Sequence, residues 1–210
     1  MRPTRDFLIV PNVIVHAFNR GVNRGQLFHC DRECDRFMEI LIELQKKIPV
    51  SLLIHSLMKN HFHLVLQQLE PFAISRFMQR VSQSYAQWLN RRSNRSGHVF
   101  QGRYGSVVVA DAEGFLSLSR YVHTNPVQAR FVPRPEQWRY SSCKGYLTRS
   151  DEIPDNRELL WSLVGGPEGY ARFLREYDPA DPDSVRRFLV PGAARLWSTA
   201  CKPRRRKISR

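Results

Sequence analysis

Apolar and polar positions change period several times along the chain, and each change marks an element. Val13 to Phe18 is a short apolar run that predicts a first strand. Asn19 to Gly25 follows as a polar loop punctuated by two glycines. Cys34, Phe37, Met38, Leu41, Leu44 and Ile48 then recur at helical spacing. Asp31 can cap that helix, which runs to about Lys47 before Pro49 ends it. Val50–Met58 and His61–Gln67 read as two strands joined by a tight turn at Lys59-Asn60. From Pro71 to Arg91, a stripe of Ile74, Phe77, Met78, Val81, Tyr85, Trp88 and Leu89 predicts a second helix. Its other face carries Arg76, Gln79, Arg80, Gln83 and Gln87. Val107 to Ala110 reads as a fourth strand. Asp111 is a good N-cap for a third helix reaching about Thr124, where Asn125-Pro126 stops it.

The first six elements run strand, helix, strand, strand, helix, strand. That is the split βαβ order of an α+β, ferredoxin-like fold. Such a sheet carries helices on one face and leaves the other face for a ligand. The core is expected to span residues 1–146. Residues 147–178 read as a small helical extension, with helices near Asn156–Val164 and Pro167–Tyr177. Residues 179–210 are rich in proline and charge and read as a basic, poorly packed tail.

Charge narrows the partners. The 33 Lys and Arg against 19 Asp and Glu give +14. Without Lys202 to Arg210, 27 basic groups against 19 acidic ones still leave +8. The body is therefore basic as well as its tail, which favours a polyanionic partner and salt-dependent binding. No apolar run reaches the roughly 18 residues of a membrane span. The first residues make a poor signal peptide, so a cytoplasmic, nucleoid-associated protein is expected. Cys30, Cys34, Cys143 and Cys201 show neither zinc-finger nor disulfide spacing, which suits a reducing compartment.

Two short segments carry chemistry. In a strand, residues i and i+2 share a face, so His61 and His63 project together while Phe62 and Leu64 enter the core. Two imidazoles on one face can ligate a divalent metal, although a lone His-x-His is a weak signal. In a helix, residues i and i+4 share a face, which pairs Tyr121 with Asn125. The amide oxygen suits Mg²⁺ or Mn²⁺. The phenol could attack a phosphodiester, given a cation to stabilise its oxyanion. Most tyrosines taken singly are structural, so the reading rests on the two segments together. Around them, Arg91 to Gly105 is a basic loop that interleaves Arg103 with Phe100 and Tyr104.

Together these residues resemble the single-tyrosine HUH transposases, and particularly the REP-associated tyrosine transposases (RAYTs). The HUH motif, His-hydrophobic-His, is matched by His61-Phe62-His63 in the context Met58-Lys59-Asn60. The tyrosine segment is matched by Tyr121-Val122-His123-Thr124-Asn125-Pro126. Phe100-Gln101-Gly102-Arg103-Tyr104 and Trp138-Arg139-Tyr140-Ser141-Ser142 are also similar to family stretches, and the likeness runs from about Val13 to Tyr146. The third metal ligand in the wider family is a glutamine four residues after the tyrosine. Asn125 stands there in this chain, as asparagine does in RAYT-like members. RAYTs tied most closely to REP palindromes begin with a Gly-Gly-Thr-aromatic-Phe strand. This chain reads Val13-Ile14-Val15-His16-Ala17-Phe18 there, a departure that bears on substrate and not on the HUH chemistry.

The resemblance implies an HUH endonuclease fold that nicks and rejoins single-stranded DNA at hairpin-forming sequences, through a 5′-phosphotyrosine. Tyr121 would be the nucleophile, and His61, His63 and Asn125 would hold Mg²⁺ or Mn²⁺. Arg20, Arg24, Arg80, Arg103, Arg120 and His123 are candidates for DNA contact, and Phe100 and Tyr104 for stacking on unpaired bases. A monomer would complete the site alone, whereas a homodimer could borrow Tyr121 across its interface. Two rivals remain at this point. One is a non-catalytic, domesticated protein that binds hairpin DNA or RNA. The other is a metal-dependent hydrolase without a covalent intermediate.

Overall fold

The computed structural model describes residues 9–148, 157–178, 180–181 and 185–201. Four strands form one sheet: β1 (Ile14–Arg20), β2 (Val50–Met58), β3 (His61–Gln68) and β4 (Gly105–Val108). Their order is β2-β3-β1-β4 and every neighbouring pair is antiparallel. With α1 (Asp31–Gln45) and α2 (Ala73–Arg92) between the strands, this is the expected ferredoxin-like arrangement.

Alternation along the strands builds two cores. Val15, Ala17, Phe62, Leu64 and Leu66 point to one face and pack against α1 and α2. Ile14, Ile54 and Val65 point to the other and pack against α3 (Ala112–Gln128). The expectation of helices on one face holds for α1 and α2. The third helix crosses to the opposite side, because the short β4 delivers the chain there. Asp111 caps it as expected, accepting from the Gly114 backbone N–H at 2.7 Å. The helix does not stop at Asn125-Pro126, however. Pro126 lies inside it and the helix continues to Gln128. The ring removes one backbone donor, while the Ala129 N–H still bonds the Asn125 carbonyl at 2.9 Å.

Two loops are pinned beside the far end of β1. The Val22 N–H bonds Val99 O at 3.0 Å, and the Gln101 N–H bonds Arg20 O at 2.9 Å. Gly21 must be glycine for space, since a Cβ there would sit 2.1 Å from the Gly25 carbonyl oxygen.

The segment Trp138 to Ser142 caps the outer edge of β2. Leu57 N–H donates to Tyr140 O at 2.9 Å, and Trp138 Nε1 donates to Leu57 O at 2.8 Å. Beyond it come α4 (Cys143–Thr148), α5 (Arg157–Val164), α6 (Pro167–Glu176) and α7 (Ala193–Ala200). These helices share a core with α3. The expected loose tail is therefore corrected for its described part. Trp197 is buried, its ring 5.3 Å from that of Phe115, and its Nε1 donates to Ala110 O at 3.2 Å. Proline and charge masked an amphipathic turn that α3 needs for cover. Lys202 to Arg210 lie outside the described residues.

Candidate active site

The β1–β3 register sets the site. His63 lies opposite Phe18 and His61 opposite Arg20, so both imidazoles emerge beside the loop after β1. Their rings stand 5.0 Å apart and nearly perpendicular. From above, α3 brings Tyr121 to a ring distance of 5.3 Å from His63. Asn125, one turn further on, places its amide nitrogen 3.4 Å from His63 Nε2 and also hydrogen-bonds to His61. One helix face thus sets the phenol and the amide against one strand face, as the spacing predicted.

Both histidines have a hydrogen bond at Nδ1. His61 Nδ1 lies 2.7 Å from Asn60 Oδ1, and since that oxygen only accepts, the ring proton sits on Nδ1. His61 Nε2 is then left with its lone pair. His63 Nδ1 lies 2.9 Å from His16 Nε2. The tautomer that donates from His63 Nδ1 leaves the His63 Nε2 lone pair facing Asn125. Partners that fix a tautomer in this way are typical behind metal-ligating histidines. Burial pushes His63 down to about 3, helped by His16 and His61, and pushes His16 down to about 4. It lowers His61 as well, against the Asn125 hydrogen bond. All three are neutral at pH 7, the state a metal ligand requires.

A cleft of about 540 Å³ opens over these rings. Tyr121 is 44% exposed there. Arg20, Arg24 and Arg103 line it, and Arg20 Nε donates to Gln101 Oε1. Phe18 closes one side, with its ring over Gly105, where any Cβ would meet it.

Five expected DNA contacts fall elsewhere. His123 is fully buried and hydrogen-bonded to Tyr170 and Ser142, so it cannot touch phosphate. Two residues past Tyr121 is about 200° around the helix, which turns it inward. Arg120, one residue before Tyr121, stacks on Tyr177 with its guanidinium 4.4 Å from the ring centre. Phe100 and Tyr104 are buried in the core beneath α2, where Phe100 meets Phe62 and Tyr85. Arg80 is exposed on α2, across the sheet from Tyr121.

His16, Asn60 and Gln101 are the site residues that sequence reasoning missed. Asn60 could have been found as an amide one residue before the histidine pair. His16 could not, because its partner depends on a register between strands 47 residues apart.

The fold agrees with comparisons to known proteins. The family model for IS200-like transposases matches residues 9–125, a span that holds His61, His63, Tyr121 and Asn125. The chain belongs to the IS200-like transposase family. Among solved structures, a REP-associated tyrosine transposase bound to a REP hairpin aligns at a TM-score of 0.59 and 16% identity. That alignment covers 74% of this chain and 93% of the other, and it shows a shared fold. A Deinococcus radiodurans chain assigned as a transposase aligns at a TM-score of 0.42 and 17% identity, over 58% of this chain and 95% of that one. This looser likeness carries no argument. No curated protein matches.

Membership makes this chain a DNA-processing transposase, and its positive charge suits that substrate. Among the described residues, no three His, Cys, Asp or Glu side chains form a metal-binding group, and no helix is long and apolar enough to cross a membrane.

Proposed function

We propose that this transposase nicks and rejoins single-stranded DNA at hairpin-forming sequences through a covalent phosphotyrosine. The observation that carries the reading is the placement of an exposed Tyr121 against His63, in a cleft flanked by Arg20, Arg24 and Arg103. The Tyr121 oxygen attacks the phosphorus and the bond to the 3′ oxygen breaks. The phenolic proton leaves to solvent, and the 3′ oxygen takes up a proton as it departs as a free hydroxyl. The 5′ phosphate stays on Tyr121, and attack by a 3′ hydroxyl reverses the step. The three arginines hold phosphates around the scissile bond.

Two imidazole nitrogens and one amide oxygen fit a divalent ion of the Mn²⁺ or Mg²⁺ kind, and the neutral state of both histidines supports that fit. His61, His63 and Asn125 would hold the ion. When bound, it would polarise a phosphate oxygen and stabilise the phenolate. Tyr121 and the three donors meet within one chain, which supports a monomer as the reacting unit.

The test is a nicking assay on end-labelled single-stranded hairpins from the DNA flanking this gene, with Tyr121→Phe beside the wild type. The expected result is a denaturation-resistant protein–DNA adduct that needs both the metal and Tyr121. Cleavage that survives Tyr121→Phe would replace this mechanism with direct hydrolysis. Specific binding without an adduct would leave a hairpin-binding protein.

A further inference from the structure

A second groove opens on the other side of the loop that carries Arg103. It has a volume of about 670 Å³ and lies between α2 and residues 97–104. From α2 it receives Gln79, Ser82 and Gln83, and from the loop His98, Arg103 and Tyr104. The helix positions fall at i, i+3 and i+4, so they form one stripe. Gly102 and Arg103 line both this groove and the tyrosine cleft. The two hollows are neighbours, and Arg103 stands at the divide.

Charge singles out the same region. From Pro71 to Ala110 the chain has six arginines and no aspartate or glutamate. Arg76 and Arg80 lie on the next stripe of α2 outward from the groove. Among the described residues, none of the six arginines pairs with a carboxylate. Met78, Phe100 and Tyr104, all nearly buried, give the groove an apolar lining. The walls offer neutral amides and hydroxyls that can meet base edges, and cations at the rim that can meet phosphates. A hollow bounded by one helix and one loop fits a single strand and not a duplex.

We propose that this groove holds unpaired nucleotides of the strand being cut, which turns around Arg103 on its way to Tyr121. The proposal rests on the DNA-nicking reading and adds a path for the substrate. It gives Gln79, Gln83 and Arg103 a role in binding unpaired DNA, and it gives Arg80 a role outside the cleft.

The experiment uses the full chain with short and long oligothymidylates carrying 5-iodouracil. Binding is read by fluorescence anisotropy for the wild type and for Gln79→Glu combined with Gln83→Glu. Crosslinked peptides are then mapped on the wild type. Long oligonucleotides are expected to bind the wild type more tightly than short ones, and the double variant to lose about tenfold on the long ones. Crosslinks are expected within residues 75–86 or 97–104. The proposal is overturned if a variant with native melting behaviour binds long strands as the wild type does. It is equally overturned if crosslinks map only to cleft peptides, or if no oligothymidylate binds. Groove crosslinks with no Tyr121 adduct on hairpins would sink the nicking reading and leave the groove standing. An adduct with no groove crosslink would do the reverse.

Discussion

The hydroxyl of Tyr170 lies 2.6 Å from Nδ1 of His123, tying α6 to the helix that presents Tyr121. The bond continues inward. His123 Nε2 lies 2.8 Å from Ser142 Oγ, which accepts from the His55 N–H at 3.0 Å. Tyr170 donates to Nδ1, so the His123 proton sits on Nε2 and donates to Ser142. Each side-chain group in this hydrogen-bonded series then has a partner, as burial demands. Replacing Tyr170 with Phe leaves the His123 lone pair buried and unpartnered. The expected loss is about 1–3 kcal/mol of stability, with an unchanged denaturant slope, read by urea unfolding.

The same chain makes the fold acid-sensitive. Burial pushes His123 down to about 3, aided by nearby His55, and pushes His55 down to about 4, from an ordinary 6.5. Above pH 6.5 both are neutral whether folded or unfolded, so neither contributes a pH slope. As pH falls below 6.5 the unfolded chain binds protons that the folded chain refuses. Stability should therefore fall between pH 6.5 and about 4, by about 1.4 kcal/mol per pH unit for each histidine. Melting temperature against pH checks this, and a flat profile over that window would contradict it.

The Asn60 side chain holds His61 by its Nδ1, while its backbone carbonyl accepts from the Gly21 N–H, a bond that a side-chain substitution leaves in place. Asn60→Ala should leave the fold intact and weaken Mn²⁺ binding about 10- to 100-fold. Asn60→Asp should restore most of it, since a carboxylate oxygen also accepts from Nδ1–H. Calorimetric titration with Mn²⁺ reads both variants without any DNA present.

Gly21→Ala should be costly for steric reasons alone. The added Cβ would meet the Gly25 backbone oxygen, which cannot swing away as a side chain could. A loss of about 1–3 kcal/mol is expected by chemical denaturation. The turn that carries Arg24 should open as well, seen as weaker binding of single-stranded DNA.

Local signals were legible where local physics decides. The two apolar runs that flank Lys59-Asn60 predict β2 and β3 almost to the residue, and Asp111 announces its helix. The faces of His61 and His63 follow from strand geometry alone. Long-range facts were hidden. Whether His16 meets His63 depends on strand pairing, and whether His123 faces water depends on Tyr170, which arrives from the extension. Phe100 and Tyr104 sit in a basic loop that looks exposed, yet bonds from Arg20 and Val22 draw that loop onto the sheet. Pro126 misled for another reason. A proline removes one backbone donor, yet Pro126 is buried in the core and the helix closes past it, with the Ala129 N–H on the Asn125 carbonyl.

The strip from Trp138 to Ser142 that covers β2 also limits how copies of this protein can aggregate. Unpaired strand edges invite pairing with other chains. Among the described residues the strip meets β2 from His55 to Leu57, while the outer edge of β4, a strand of four residues bearing exposed Val107 and Val108, pairs with no strand. A sheet that can be joined from one side alone closes after a single partner. Edge-to-edge growth from the native state would thus stop at two molecules and could not propagate into a fibre.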